Sequence, residues 1–163
     1  MLAHEFNVKF ICHANICRSP MAEYLFRSYV EEAGLGNNIS VKSAGIDGRF
    51  RGHYMHEGTW NVLMDHGIES DDFISKNIQK SDVITYRYLV AMDDDVLKEA
   101  RFFYGNSLSE RQLFKFTELV PELGYDGVPD PIITHDFDET YRIISTGCRA
   151  LLERIREDRQ KVT

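Results

Sequence analysis

Cys12-His13-Ala14-Asn15-Ile16-Cys17-Arg18-Ser19-Pro20 joins a short apolar run, Val8-Lys9-Phe10-Ile11, directly to a segment with helical periodicity. The run reads as a buried strand and Pro20 as the first helical position, with Ser19 its N-cap. A strand, a tight loop and a helix start in succession aim a row of backbone N–H groups and the positive end of a helix dipole at one point, where an anion would be held. The residue types complete the site. A thiol stands at the loop's start, and after five intervening residues come a bidentate guanidinium, Arg18, and a hydroxyl, Ser19. The same field favours Cys12 as a thiolate. Alone, a cysteine at a strand end is an inert small hydrophobe, and Cys-x5-Arg occurs by chance. The flanking strand and helix start decide for a phosphate-binding loop that carries its own nucleophile.

Outward from the loop, Met21, Ala22, Leu25, Phe26, Tyr29 and Val30 step by threes and fours, a helix that Gly34 and Gly36 close. Ile39 to Ala44 reads as a second strand, so the unit is a βαβ crossover with a parallel pair, and the loop lies at the carboxyl edge where open α/β sheets bind ligands. Tyr88-Leu89-Val90-Ala91-Met92 and Leu113-Phe114-Lys115-Phe116 read as the third and fourth strands. Glu57 to His66 can form a helix with Trp60, Leu63 and Met64 inward, His66 being a helix-end residue, and Val96 to Phe103 another. A long amphipathic helix runs from Phe137 through Tyr141, Ile144, Cys148 and Ile155, with Cys148 on its buried stripe and Glu153 to Lys161 fraying. Asp93-Asp94-Asp95 suits a helix start better than a metal, whose ligands must converge from several directions. The expected fold is α/β: one domain over residues 1–163, a four-stranded parallel sheet flanked by helices on both faces, with the phosphate-binding loop after the first strand.

A chain of 163 residues with 43% hydrophobic content suits a single core. Its 19 basic and 26 acidic residues give −7, which argues against nonspecific binding to nucleic acid or anionic membranes. Met1 to Asn7 lacks the pattern of a signal peptide, no apolar stretch approaches a membrane span, and three cysteines suggest no disulfide framework. A cytoplasmic setting is expected, where Cys12 stays reduced.

Phe10 to Glu23 closely resembles the signature of the low-molecular-weight protein tyrosine phosphatases. The likeness continues through Ser43-Ala44-Gly45, His66-Gly67-Ile68, Ala91-Met92-Asp93 and Val128-Pro129-Asp130-Pro131. Hydrolysis through a cysteine needs a proton for the leaving oxygen and then a base for water, and one carboxyl can serve both. Asp130, bracketed by two prolines, matches the family's acid. The resemblance implies that Cys12 attacks phosphorus while Arg18 and the loop groups of His13, Ala14, Asn15, Ile16, Cys17 and Ser19 hold the oxygens. It also implies that Ser19 stabilises the departing thiolate, that Asn15 holds the strained loop and that Ser43 supports Asn15. No metal or cofactor is required. The substrate would be a phosphotyrosine-containing protein and the product inorganic phosphate.

The cleft is expected to involve Arg49 and Phe50, in the Gly45–His56 loop, and Ile132 and Ile133, where relatives acting on phosphotyrosine usually have two tyrosines. Other departures are Asp72, Phe73, Ser75 and Lys76, in a stretch where the family commonly has a His and an Arg, and Val96 in place of an Asn. Bacterial arginine phosphatases of this fold tend to have Thr at the position of Ile16, so Ile16 favours an aryl phosphate over phosphoarginine. A noncatalytic phosphopeptide-binding module would be expected to lose the nucleophile or the acid. A thioredoxin-coupled arsenate reductase needs two further cysteines, and none lies between Cys17 and Cys148. Cys17 shares the tight loop with Cys12: either the two form a reversible disulfide after oxidation, as the resemblance also implies, or Cys17 merely packs beneath the loop.

Overall fold

Strands buried on both faces read as near-continuous apolar runs, and Val8–Cys12 forms such a strand, β1, with every residue buried. The computed structural model describes residues 6–162; Met1–Glu5, within the stretch read above for a leader, and Thr163 lie outside the described residues. With β2 (Val41–Gly45), β3 (Tyr88–Ala91) and β4 (Leu113–Lys115), β1 builds a parallel sheet in the order β2-β1-β3-β4. The register sets Cys12 opposite Gly45, so the loop leaves from the sheet's carboxyl edge beside the end of β2.

The two-residue period of β1 divides the core. Val8, Phe10 and Cys12 face one side, where helices α1 (Arg18–Glu32), α2 (Glu57–Asp65) and α6 (Phe137–Lys161) pack. Phe10 sits there with Phe26 edge-on at 5.8 Å and Phe116 tilted at 6.2 Å. Ile11 faces the other side with Leu89 and Ala91, covered by Val96, Ala100 and Tyr104 of α4 (Asp94–Tyr104). Lys9 is also buried on that side. Its ammonium meets Asp82 Oδ1 at 2.8 Å, and Tyr104 Oη and the Gln79 N–H donate to Oδ2 at 2.6 and 2.8 Å. Removing one partner of such a pair would leave an uncompensated buried charge. Two short helices, α3 (Asp82–Thr85) and α5 (Pro131–Thr134), complete the α-helices of the described residues. Among the described residues no helix is long and apolar enough to cross a membrane.

The structure corrects several boundaries. Helix α1 begins at Arg18 with Cys17 as its cap, so Ser19 lies inside the first turn and caps nothing. The reason is a competing use for its hydroxyl, described below. Leu63 is buried and Trp60 packs against the core as expected, but Met64 is 41% exposed, and the buried face of α2 is completed by Thr59 and Val62. The charged end of α6 stays helical to Lys161. Tyr88 donates to Asp158 at 2.6 Å, and Arg154 lies 4.9 Å from the centre of the Phe114 ring. Cys148 is fully buried, and burial pushes its thiol far above the usual range, as suits a packing residue.

Alanine normally improves on glycine inside a helix by about 1 kcal/mol. At Gly147 of α6 the sign should reverse, because an added Cβ would overlap the ring of Phe116. Gly147→Ala is expected to lose roughly 1–3 kcal/mol in urea unfolding, the usual range for overpacking a core.

Candidate active site

The loop between β1 and α1 turns because Asn15 adopts a left-handed backbone, φ 59°, which costs an ordinary residue about 1 kcal/mol or more. Asn15 is fully buried and its side chain is held by three elements. Its Nδ2 donates to Ser19 Oγ of α1 at 2.8 Å and to Ser43 Oγ of β2 at 2.9 Å, and its Oδ1 accepts from the backbone N–H of Lys76 at 2.8 Å. Ser43 donates onward to Glu23 at 2.5 Å, and Glu23 pairs with Arg27. Burial raises the Glu23 carboxyl, against the pull of the Ser43 hydroxyl and of Arg27.

The Ser19 oxygen accepts from an amide that can only donate, and its hydroxyl lies 2.9 Å from Cys12 Sγ, to which it donates when the sulfur is a thiolate. The Asn15 N–H donates to the same sulfur at 3.2 Å. Two donors therefore meet the sulfur at the point where a negative charge would sit.

Arg18 is buried and fixed at one nitrogen. Nη1 donates to Asp93 Oδ2 at 2.6 Å and to the carbonyl of Val128 at 2.8 Å. Among the described residues no acceptor meets its Nε–Nη2 edge, the fork that pairs with two oxygens of an anion. Burial opposes the Arg18 charge, but the Cys12 sulfur and Asp93 outweigh it and raise the guanidinium further. Asp93 was read from sequence as helix-start acid, and it is one: its Oδ1 accepts the Val96 N–H at 2.9 Å. Its second oxygen anchors Arg18 across the sheet, a role no periodicity or spacing signals.

Gly45 lets β2 end against this loop, since an added Cβ would lie 2.9 Å from the carbonyl carbon of Ala14. From there the 46–56 loop departs, Ile46 and Asp47 donating to the carbonyl of His13 at 2.9 and 2.8 Å, and it returns where His56 donates to Ile16 at 2.8 Å. Thr59 then donates to the Cys17 carbonyl at 3.1 Å. The phosphate-loop residues named from sequence are thus brought together, with Phe50 against them, its ring 6.5 Å from that of His13. Arg49 is turned to Asp47, Nε donating at 2.9 and 3.0 Å, and Asp47 also faces His13 at 3.3 Å. Hydrogen bonding from Arg49 drives the Asp47 carboxyl far below the usual range.

Asp130 caps α5, accepting the Ile132 N–H at 3.1 Å, and lies near enough for its charge to act on Cys17 and Arg18. Ile132 and Ile133 follow on that short helix, 44% and 76% exposed. Cys17 is buried. Burial, then the charges of Cys12 and Asp130, pushes its thiol up to about 12, so it is a neutral thiol beside the candidate nucleophile. Both cysteines are free. Among the described residues no group of three His, Cys, Asp or Glu side chains is placed to hold a metal.

The family model for low molecular weight phosphotyrosine protein phosphatase matches residues 7–161. The low molecular weight protein-tyrosine-phosphatase YfkJ of Bacillus subtilis is 36% identical over 94% of this chain and 98% of its own. PtpA of Staphylococcus aureus, of the same description, is 34% identical over 93% of this chain and 95% of its own. The crystal structure of YfkJ superposes with a TM-score of 0.88, covering 94% of this chain and 96% of that one. At 24% identity and a TM-score of 0.82, covering 91% of this chain and 96% of its own, the Drosophila arginine phosphatase DARP shares the fold.

Asp93 tests the anchoring of Arg18. Burial raises its carboxyl, but the Val96 N–H and Arg18 outweigh this and hold it below the ordinary 3.8. A carboxylate lowered on folding adds stability that is complete above the unfolded value, about pH 4, and is lost as pH falls through the folded one. Asp93→Asn keeps a capping oxygen but removes the charge. The variant should lose about 1.5–3 kcal/mol at pH 7, the scale of a hydrogen bond to a charged group. Its stability should then fall less steeply than wild type below pH 4 when both are followed by urea unfolding.

Proposed function

The chain belongs to the low molecular weight phosphotyrosine protein phosphatase family, and we propose that it hydrolyses phosphotyrosine in proteins through a phosphocysteine on Cys12. One observation carries the assignment of roles. Cys12 Sγ sits between the Ser19 hydroxyl and the Asn15 N–H, at the mouth of a loop where Arg18 keeps a guanidinium edge that no acceptor meets among the described residues.

In the first step the Cys12 thiolate forms a bond to phosphorus while the bond to the tyrosyl oxygen breaks, and Asp130 gives its proton to that oxygen. Arg18 and the loop N–H groups from His13 to Ser19 hold the three equatorial oxygens, in place before the charge develops. In the second step the Asp130 carboxylate takes a proton from water, the water oxygen bonds to phosphorus, and the electron pair of the sulfur–phosphorus bond returns to Cys12. Ser19 and the Asn15 N–H receive that charge. Inorganic phosphate leaves, and the positive groups needed are supplied by the chain itself.

The aromatic leaving group is met by Phe50 on one side and by Ile132 and Ile133 on the other, an apolar wall without the paired tyrosines. Arg49, already paired with Asp47, contributes charge only at the rim. Phosphoarginine is the second reading, because the fold is shared with an arginine phosphatase; Ile16 favours the aryl phosphate. A net charge of −7 fits a protein partner better than nucleic acid or an anionic membrane. A reducing cytoplasmic setting would keep Cys12 active.

Wild type should turn over a phosphotyrosyl peptide well above phosphoarginine and phosphoserine, and Cys12→Ser should turn over none. Rapid-quench mass spectrometry of Asp130→Ala, with a substrate whose leaving group needs no proton, should find phosphate on Cys12. Phosphate on Cys17 or on a histidine would overturn the assignment.

Cys17 completes the reading as a resolving thiol. Peroxide oxidises the Cys12 thiolate to a sulfenic acid, and the Cys17 sulfur displaces water from it to form a disulfide that external thiols reduce. Oxidation removes the Cys12 charge, one of the causes that hold Cys17 protonated, which makes the second thiol easier to ionise when it is needed. Peroxide inactivation of wild type should therefore reverse with dithiothreitol. The Cys17→Ser variant should stay inactive as Cys12 goes on to sulfinic acid, and equal recovery of the two would refute the role.

A further inference from the structure

The segment from Ser70 to Lys80 contains neither helix nor strand, apart from one bridge between Asn77 and Gly45. Ser75 is nevertheless 1% exposed, between exposed neighbours. Every polar group it has is spent on the 46–56 loop. Its carbonyl accepts from Gly52 at 2.9 Å, its N–H donates to the His53 carbonyl at 2.9 Å, its hydroxyl oxygen accepts from the His53 N–H at 2.9 Å, and its hydroxyl hydrogen goes to the Phe50 carbonyl.

The next residue faces the other way. Lys76 donates its N–H to Asn15 Oδ1 at 2.8 Å, and its carbonyl accepts from Gly45 at 2.7 Å. A single peptide linkage therefore ties the backbone of Phe50 and His53 to the one residue whose left-handed conformation shapes the phosphate loop. The ends of the 46–56 loop are fixed at His13 and Ile16, and among the described residues its middle, Phe50 to His53, is hydrogen-bonded to the rest of the chain through Ser75.

We propose that Ser75 is a positioning residue for substrate selection. It sets the aromatic wall at Phe50 at a fixed distance from the phosphate loop, and so favours phosphomonoesters with a large planar leaving group. The inference rests on the phosphatase reading above. The phosphoryl group touches the loop, whose shape is held by Asn15, Ser19, Ser43 and the Lys76 backbone. The leaving group touches the wall, whose position is held by Ser75. Removing the Ser75 hydroxyl leaves the first set of bonds in place and loosens only the second.

For Ser75→Ala, KM for a phosphotyrosyl peptide and for 4-nitrophenyl phosphate should rise about five- to tenfold, the lower part of the range for the two neutral hydrogen bonds its hydroxyl makes, with kcat within about twofold of wild type. The inhibition constant of inorganic phosphate, which has no leaving group, should not change. Amide hydrogen exchange at Gly52 and His53 should accelerate while that of Asn15 does not. Ser75→Cys, near in size and a weaker hydrogen-bonding group, should fall between the two. In a Phe50→Ala background the Ser75 change should add nothing to KM, because the wall it positions has lost its ring.

A phosphate inhibition constant that rises in step with KM would mean that Ser75 supports the phosphate loop, and the inference would fall. Additive effects with Phe50→Ala, or an unchanged KM, would also end it. Failure of the phosphatase reading is a separate outcome, seen in wild type as no turnover of any aryl phosphate. Ser75 is then judged by the exchange rates at Gly52 and His53, and unchanged rates would refute its hold on the wall.

Discussion

The constraint on which the site depends is the left-handed backbone of Asn15. Five residues must reverse the chain between the end of β1 and the first turn of α1, and must do so with the Asn15 N–H aimed at the Cys12 sulfur. A glycine there would turn at little cost but would hold nothing. Asparagine turns at some cost, and its amide then recruits Ser19, Ser43 and the Lys76 N–H, one each from a helix, a strand and a loop. The same bonds hold the Ser19 hydroxyl against Cys12. Loop shape and sulfur electrostatics are one network, so a fault in either would be felt in both.

A second tie crosses the sheet. β1 lies between β2 and β3, and the chain leaves it toward one side and later returns on the other, which opens a crevice at the carboxyl ends of β1 and β3. Arg18 enters that crevice after β1 and Asp93 after β3, and they meet at 2.6 Å with the Val128 carbonyl beneath them. The guanidinium is thereby used twice. One nitrogen secures it to the fold, and among the described residues nothing accepts from the opposite edge, which can pair with an oxyanion in a buried setting where such a contact counts for more than in water. An acidic chain can hold a phosphate because the field at this point is set by a few oriented groups, with the net charge of −7 spread over the remaining surface.

All three cysteines are buried, and their neighbours sort them. Cys12 has donors on its sulfur, whereas Cys17, five residues on, is held protonated by the apolar packing of the helix start, and Cys148 is enclosed in the core behind α1. The chemistry of a thiol follows from its neighbours, and these neighbours are placed by elements far apart in the chain.

The sequence by itself determined the four strands and the longer helices in chain order, the place of the loop at a carboxyl edge, and the positions of Cys12 and Arg18 within it. These follow from local rules: apolar periodicity, helix-start chemistry and the spacing of Cys12 and Arg18 along a few consecutive residues. The resemblance already implied Asn15, Ser43 and Ser19 as supports of the loop, and tertiary structure alone supplied the remaining partners. Asp93 looked like any acid at a helix start, Lys76 acts through its backbone N–H, which no side-chain pattern can reveal, and Ser19 left its expected capping role because Asn15 and Cys12 claimed its hydroxyl. Arg49 looked like a cleft cation and is paired with Asp47 two residues earlier. In each case the partner was fixed by contacts between segments remote in sequence, or by competition among several local acceptors. Only the folded geometry resolves such competition.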